Sequence, residues 1–349
     1  MGETPFRRDQ HYVPRGYLKR WALDGRVWTY RTLVSHSNVP LWKRSSPRGV
    51  AYHAHLYTSL VGGEATDKFE RWLDREYETP AEEALQRATA GAGMTTADWR
   101  RLIRFLAAQD VRTPARFAEA MRRWDKTLPS VMDETLRGAA QKLEEAERTG
   151  ATLPESAGEG SAGLPMRVVK NIVPGQEMGE LGLEMVLGRG MWLWGIKHLL
   201  EKTSAVLHEH RWTILRPPEG FAWFTSDDPV VRLNFMSLTE YDFGGGWGSP
   251  GSEIFLPLGP QHLLYTQIGK RPPRRGERMP KAQAKLVCRF IAEHAHRFVF
   301  SQEPDAEIVK LRPRAVDADA FHREREQWAK WHDQQTAAEL ELLAGQEEL

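Results

Sequence analysis

Cysteine is almost absent from this chain, since Cys288 is the only one among its 349 residues. A single cysteine excludes an intramolecular disulfide and a cysteine-based zinc site. Long apolar runs are also missing: no stretch approaches the ~18 residues that a membrane span requires. The N-terminal segment has no apolar core of the signal-peptide kind. These absences predict a cytoplasmic protein that does not enter a membrane.

An excess of charge of either sign is lacking as well. The 48 Lys and Arg residues face 47 Asp and Glu residues, so the net charge is +1. This balance argues against a protein that coats nucleic acid by bulk electrostatics. It leaves room for a local basic patch, of which GKRPPRRGERMPK (269–281) is the candidate. Hydrophobic residues at 41% and charged residues at 27% are typical of a globular protein.

The motifs that mark common cofactor and metal enzymes are missing too. The chain contains no HExxH pair, Walker loop, GxSxG elbow or GxGxxG turn. Among its His-x-His pairs, only His53 and His55 have the strand-like alternation that places two rings on one face. No third ligand accompanies them at a known spacing. We therefore predict no metal and no cofactor.

Hydrophobic periodicity is helical in the first half of the chain and mixed in the second. The segment TTADWRRLIRFLAAQDVR (95–112) predicts a capped helix, and further helices are expected near 130–148, 178–203 and 280–296. Short β-type segments bounded by turn residues follow in the second half: RWTILR, FAWFTS, EIFLPL and HLLYTQIG.

This order of elements predicts an α+β fold. We expect a mainly helical lobe at 1–148 and an α+β lobe at 166–349, where the helices pack on a small, mostly antiparallel sheet. The segment between them, 149–165, consists mainly of Gly, Ser, Ala, Pro and Glu and is predicted to be a flexible linker.

Five motifs give the sequence a resemblance to a known family. They are QHYVPRGYLKRWA (10–22), QDVRTP (109–114), FTSDDPVV (224–231), IFLPLGP (254–260) and IAEHAHRFVFS (291–301). In this order they resemble the landmarks of the DUF4238 family, which implies a shared fold and site location but no established activity. The chain also resembles, more faintly, the larger subunit of two-protein aziridine-forming enzymes from actinomycete natural-product pathways. That likeness implies a smaller protein subunit as a partner.

The first motif concentrates side chains that donate protons or bind anions. Pro14 biases Val13 toward extended backbone, so His11 and Tyr12 should point to opposite sides. His11 can act as an acid or base near neutral pH, which makes it a candidate catalytic residue. Tyr12 and Arg15 are candidate substrate-binding residues. The alternative is a purely structural role, in which His11 and Arg15 pin the start of the chain.

The TSDDP segment places two carboxylates after a predicted strand. Neighbouring residues of a strand point to opposite faces, so only one of the two can enter a given pocket. We favour Asp227 as the catalytic carboxylate, because it occupies the Asp position of the family that the chain resembles. Ser226 and Asp228 are then candidate substrate-binding residues. Alternatively, Asp227 caps a turn through an Asx hydrogen bond.

Gln109 and Arg112 are three residues apart, so a helix places them on one face. A guanidinium beside an amide can clamp phosphate, sulfate or carboxylate. The alternative is a helix end at which Arg112 meets free carbonyls or an acidic neighbour.

Three functions compete for these residues. The first is a cofactor-independent enzyme of natural-product biosynthesis that abstracts a proton from a small anionic substrate as sulfate or phosphate departs, as in aziridine formation. The second is a nuclease or phosphodiesterase of a defence system, with the basic stretch on the nucleic acid. The third is a non-catalytic interaction protein that docks through some of its 13 Trp residues. The first predicts that His11, Gln109, Arg112 and Asp227 face one cavity.

Overall fold

The computed structural model describes residues 5–150, 166–171 and 180–344. Most of the predicted linker, 151–165, therefore lies outside the described residues. Within these ranges the α-helices are α1 (Arg15–Leu18), α2 (Lys68–Leu73), α3 (Ala81–Thr89), α4 (Thr96–Val111), α5 (Pro114–Thr149), α6 (Arg189–His198), α7 (Lys281–His294), α8 (Ala306–Leu311) and α9 (Ala318–Ala344). Two π-helical turns extend α2 and α6, at Asp74–Glu78 and Leu199–Thr203.

The strands are mostly short. They are β1 (Asp9–His11), β2 (Val27–Arg31), β3 (Leu33–Val34), β4 (Trp42–Ser45), β5 (Tyr52–Ala54), β6 (Ser59–Val61), β7 (Glu64–Thr66), β8 (Met166–Asn171), β9 (Glu180–Met185), β10 (Thr213–Leu215), β11 (Thr225–Ser226), β12 (Val231–Phe235), β13 (Tyr241–Asp242), β14 (Glu253–Gly259), β15 (His262–Gln267), β16 (Phe298–Ser301) and β17 (Ala315–Val316).

The two largest sheets among the described residues are antiparallel. One has five strands in the order β10-β15-β14-β12-β13, and the other has four in the order β11-β16-β2-β4. Strands β3 and β17 pair in parallel, and β1 pairs with β5 in the antiparallel sense. With about 48% helix and 20% strand, the molecule has the predicted α+β fold.

In the first half of the chain, α4 matches its prediction and α5 is longer than predicted. Helix α4 begins at the predicted cap, where the hydroxyl of Thr95 and the carboxylate of Asp98 form a reciprocal capping box. Helix α5 restarts at Pro114, which occupies a first-turn position where proline is tolerated. It continues for 36 residues to Thr149 with Pro129 inside it, where the sequence predicted a separate helix at 130–148.

The helix predicted at 178–203 begins only at Arg189. Glu180–Met185 forms strand β9 instead and pairs with β8. Its apolar residues Leu181, Leu183 and Met185 alternate, which is the period of a strand rather than of a helix. The predicted helix near 280–296 corresponds to α7. The end of the last motif, with its β-type pattern RFVFS (297–301), forms β16.

The hydrophobic core joins the two predicted lobes. Tyr17 and Phe105 from the first half pack in one buried cluster with Trp192 and Leu256 from the second. The sheet that contains β2 also contains β11 and β16, so strands from both halves share one ladder. The predicted boundary between 1–148 and 166–349 therefore does not separate two cores within the described part of the chain. No helix among the described residues combines the length and apolarity that crossing a bilayer requires.

Hydrogen bonds from buried aromatic residues fix the first motif to the later ones. The Tyr17 hydroxyl lies 2.7 Å from Thr225 Oγ1 and donates to the carbonyl of Pro257, also at 2.7 Å. The indole of Trp21 donates to the carbonyl of Trp223 at 2.8 Å. Buried polar groups without hydrogen-bond partners lower the stability of the folded state. These bonds therefore hold the first motif in one position.

Candidate functional site

Strand β1 and the residue after it separate two cavities. The amide of Tyr12 donates to the carbonyl of Ala51 at 3.1 Å, which continues the pairing of β1 with β5. His11 lines a cleft of about 870 Å³, whereas Tyr12 lines a pocket of about 400 Å³ that we call the Tyr12 pocket. The two neighbouring side chains thus serve different cavities, as the extended backbone predicted.

The cleft is lined by side chains of both charges. Its carboxyl groups come mainly from α2, its π-turn and α3, and its basic groups mainly from the first motif and the turn before β5. The acidic lining residues are Asp9, Glu70, Asp74, Glu78 and Glu82. The basic lining residues are Arg7, His11, Arg15, Lys19, Arg20 and Arg48.

Glu70 is the unusual acid of the cleft. Its side chain is 8% exposed, and its Oε2 atom has no hydrogen-bond partner among the residues that the structure describes. Burial raises the pKa of the Glu70 carboxyl to about 8; the Arg112 charge opposes this shift and Glu78 reinforces it. A buried carboxyl without a partner in a polar cleft is suited to exchange a proton with a ligand near neutral pH.

Arg112 lies behind the cleft rather than in it. Its guanidinium is fully buried, and Nη1 donates to Glu78 Oε1 at 2.6 Å while Nε donates to the carbonyl of Tyr12 at 3.0 Å. With its amide oxygen facing Arg112, Gln109 accepts from Nη2 and Nε at 3.1 Å. Gln109 and Arg112 thus lie together, and Arg112 bonds to Glu78 and to the first motif. A substrate anion on this pair remains a prediction.

His11 and Arg15 are the predicted site residues that line the cleft. His11 Nε2 lies 3.2 Å from the carbonyl of Arg48, and burial lowers the pKa of its imidazole. The side chains of Arg15 and Arg48 are exposed and form no ion pair with any residue that the structure describes. They are free to contact an anion.

Asp227 is buried and holds a turn. Its Oδ1 accepts from the amide of His296 at 2.9 Å, and its Oδ2 accepts from the amide of Arg297 at 2.8 Å. Burial raises the pKa of this carboxyl to about 7, against the effect of these backbone hydrogen bonds. Asp227 is 1% exposed and lines neither the cleft nor the Tyr12 pocket.

Asp228 and Ser226 belong to a buried network. Asp228 Oδ1 accepts from Thr113 Oγ1 at 2.8 Å, and its Oδ2 lies 3.5 Å from His294 Nε2. The hydroxyl of Ser226 donates to the carbonyl of Asp228 at 2.9 Å. Thr113 also caps α5. Its hydroxyl therefore connects the second motif to the third inside the protein.

The expectation that His11, Gln109, Arg112 and Asp227 face one cavity is not met. His11 lines the cleft, Arg112 and Gln109 support it from behind, and Asp227 fixes a turn elsewhere. The catalytic and binding roles given to these residues remain predictions. Glu70 was missed, although it precedes the buried residues Leu73 and Tyr77 at helical spacing. A carboxylate in phase with an apolar helix face was the available signal.

The described residues offer no group of ligands for a metal ion. Across 5–150, 166–171 and 180–344, no three His, Cys, Asp or Glu side chains are grouped so that they could hold an ion. His53 and His55 instead stack on Trp328 and His332 of α9, at centroid distances of 3.8 and 4.0 Å.

Comparison with known proteins identifies the family. A family described as a protein of unknown function, DUF4238, matches residues 9–305. The match spans well over half of the chain, so the protein belongs to the DUF4238 family, as its motifs predicted. No curated protein and no solved structure matches the chain. Helix α9 lies beyond the matched range.

Proposed function

We propose that this protein is an enzyme that acts on a small substrate carrying both an amine and an anionic leaving group, by general acid–base catalysis in the cleft. The observation that carries the proposal is the buried carboxyl of Glu70, whose Oε2 has no partner in the described part of the chain. The same cleft is lined by Arg15 and Arg48, which form no ion pair with the described residues. Glu70 takes the catalytic role that the sequence suggested for Asp227.

The charges of the cleft support a substrate with two opposite charges. The acids Asp74 and Glu78 are already paired, with Arg7 at 2.7 Å and with Arg112 at 2.6 Å. Of the other acids, Asp9 and Glu82 are exposed, so Glu70 is the buried carboxyl placed to meet an ammonium group. Arg15 and Arg48 are placed to hold a sulfate or phosphate. Guanidinium groups bind such oxyanions through parallel hydrogen bonds.

An intramolecular displacement uses these groups without a further reactant. The Glu70 carboxylate accepts a proton from the substrate ammonium, and the freed lone pair on nitrogen forms a bond to the neighbouring carbon. The bond from that carbon to the leaving-group oxygen breaks, and its electron pair departs with sulfate or phosphate. The product is a protonated aziridine ring, which releases its remaining extra proton to water. Arg15 and Arg48 stabilise the negative charge that grows on the leaving group.

Turnover of ethanolamine O-sulfate, phosphoethanolamine and larger vicinal amino esters tests the proposal. Release of inorganic sulfate or phosphate would be measured together with ring formation by mass spectrometry. We expect Glu70→Gln to lower kcat by roughly 10²–10⁴-fold, the usual contribution of a positioned base. Arg48→Gln should raise KM and lower kcat as well, because the leaving group gains charge in the transition state.

The pH profile and a matched variant give the controls. Activity should rise with pH as Glu70 ionises near pH 8. Glu144→Gln, on the exposed surface of α5, should behave as the unmodified protein does. Full activity of Glu70→Gln would remove Glu70 from the mechanism, and an absence of both binding and turnover across the series would refute the substrate class.

A further inference from the structure

The Tyr12 pocket has aromatic walls. His53 stacks on Trp328 with ring centroids 3.8 Å apart, and Tyr12 stacks on His53 with ring centroids 5.5 Å apart. Phe298 and Phe321 complete the apolar lining. A volume of about 400 Å³ is at the lower end of small-molecule sites and suits a ligand of one or two rings.

Polar groups without partners face this pocket. The Tyr12 hydroxyl and the imidazoles of His53 and His296 form no hydrogen bond with any residue in the described part of the chain, although Tyr12 is only 2% exposed. Burial lowers the pKa of His53 to about 4 and that of His296 to about 3, so both rings are neutral. His53 and His296 are half-buried, so these polar groups are accessible from the pocket and available to hydrogen-bond a ligand there.

The rim of the pocket is positively charged. Arg297 pairs with Glu324 at 2.6 Å, which leaves Arg31 and Arg325 as lining cations without an ion pair among the described residues. The guanidinium of Arg31 lies over the Phe298 ring, 5.4 Å from its centroid. A flat ligand between the aromatic walls would bring an acidic group toward these cations.

Residues from several motifs converge on this pocket. Tyr12 comes from the first motif, Pro114 from the second, and His296 and Phe298 from the last. Asp227 of the third motif holds the amides of His296 and Arg297 and so sets the turn that presents them. Helix α9, outside the family match, supplies the facing wall with Trp328.

We propose that the Tyr12 pocket is a binding site for an aromatic carboxylic acid, separate from the cleft. The ring lies against Trp328, Phe321 and Phe298. The carboxylate meets Arg31, and the Tyr12 hydroxyl donates a hydrogen bond to it. His53 and His296, being neutral, accept or donate hydrogen bonds to polar atoms on the ring.

Isothermal titration with indole-3-carboxylate tests this site, with indole as the uncharged comparison. We expect saturable binding of the acid and at least about tenfold weaker binding of indole, since a hydrogen-bonded charge pair is lost. Arg31→Gln should weaken binding of the acid about tenfold, and Tyr12→Phe about fivefold, as expected for loss of a charged and a neutral hydrogen bond. Arg26→Gln, an exposed neighbour outside the pocket, should leave affinity unchanged.

Variants of the cleft separate this proposal from the catalytic one. Arg15→Gln and Glu70→Gln should leave binding of indole-3-carboxylate unchanged, and Tyr12→Phe should leave binding of ethanolamine O-sulfate unchanged. Equal affinity for indole and the acid, no binding at millimolar concentration, or loss of binding in Arg15→Gln rather than in Arg31→Gln would each overturn the assignment.

Discussion

Glu70 occupies a helical position at which an apolar residue is usual. Residues Glu70, Leu73 and Tyr77 are all buried and are spaced as one face of a helix. A carboxyl is rarely buried without a partner, because its charged form loses hydration. Burying this carboxyl beside the ion pair of Arg112 and Glu78 lowers the stability of the protein. That cost favours a functional role for Glu70.

Burial of the Glu70 carboxyl should make the free energy of unfolding depend on pH. The folded pKa of Glu70, about 8, lies above the value of an exposed Glu, so its contribution to stability is complete below about pH 4 and is lost as pH rises through 8. Glu70→Gln removes the titrating group. Between pH 5.5 and pH 9, the free energy of unfolding should therefore fall less in this variant than in the unmodified protein. Denaturant unfolding at both pH values measures the difference.

Glu144→Gln serves as the comparison in this experiment, because Glu144 is exposed on α5. Asp227, whose pKa is also raised by burial, remains in every variant and contributes equally. An unchanged pH dependence in Glu70→Gln would show that the Glu70 carboxyl ionises in the folded state as it does in the unfolded state.

At the scale of elements, the turn between α7 and β16 depends on one carboxylate. Asp227 accepts the amides of both His296 and Arg297, and its own amide donates to the carbonyl of Phe298 at 3.0 Å. The turn therefore connects β11 to the residues that line the Tyr12 pocket. The sequence indicated Asp227 as a candidate catalytic residue. It could not show that Asp227 accepts two backbone amides, because the hydrogen-bond partners of a carboxylate are set by tertiary structure.

Asp227→Ala should destabilise the protein by about 2–4 kcal/mol, since two buried amides lose their acceptor. It should also weaken binding of indole-3-carboxylate, because the turn that carries His296 and Phe298 is released. Thermal unfolding and isothermal titration measure the two effects, with the exposed Asp125→Ala of α5 as the comparison. A variant with unaltered stability would contradict the turn-holding role.

At the scale of the whole molecule, periodicity predicted most elements but not how the halves combine. Helix α4 follows from its local pattern and its cap, and helix α7 and strand β16 follow from local pattern. The pairing of β2 with β16 joins residues that are far apart in sequence, and nothing local in either strand specifies its partner. The division into two lobes was inferred from the composition of the chain. Composition does not indicate which strands pair with each other.

The same limit applies to the candidate site. The motifs indicated the right segments, and the extended backbone after β1 correctly placed His11 and Tyr12 on opposite sides. The sequence did not show that these sides belong to different cavities. The separation arises because β1, which pairs with β5, and Tyr12, whose carbonyl accepts from Arg112, run between the two cavities.

The central claim is that Glu70 is a buried, ionisable carboxyl poised near neutral pH in the cleft. Carbon NMR of protein labelled at the glutamate carboxyl carbons tests it directly, with the Glu70 signal assigned by its absence from Glu70→Gln. We predict a midpoint at about pH 8 that moves upward when inorganic sulfate occupies the cleft. A midpoint in the usual range of exposed Glu, insensitive to sulfate, would contradict the account.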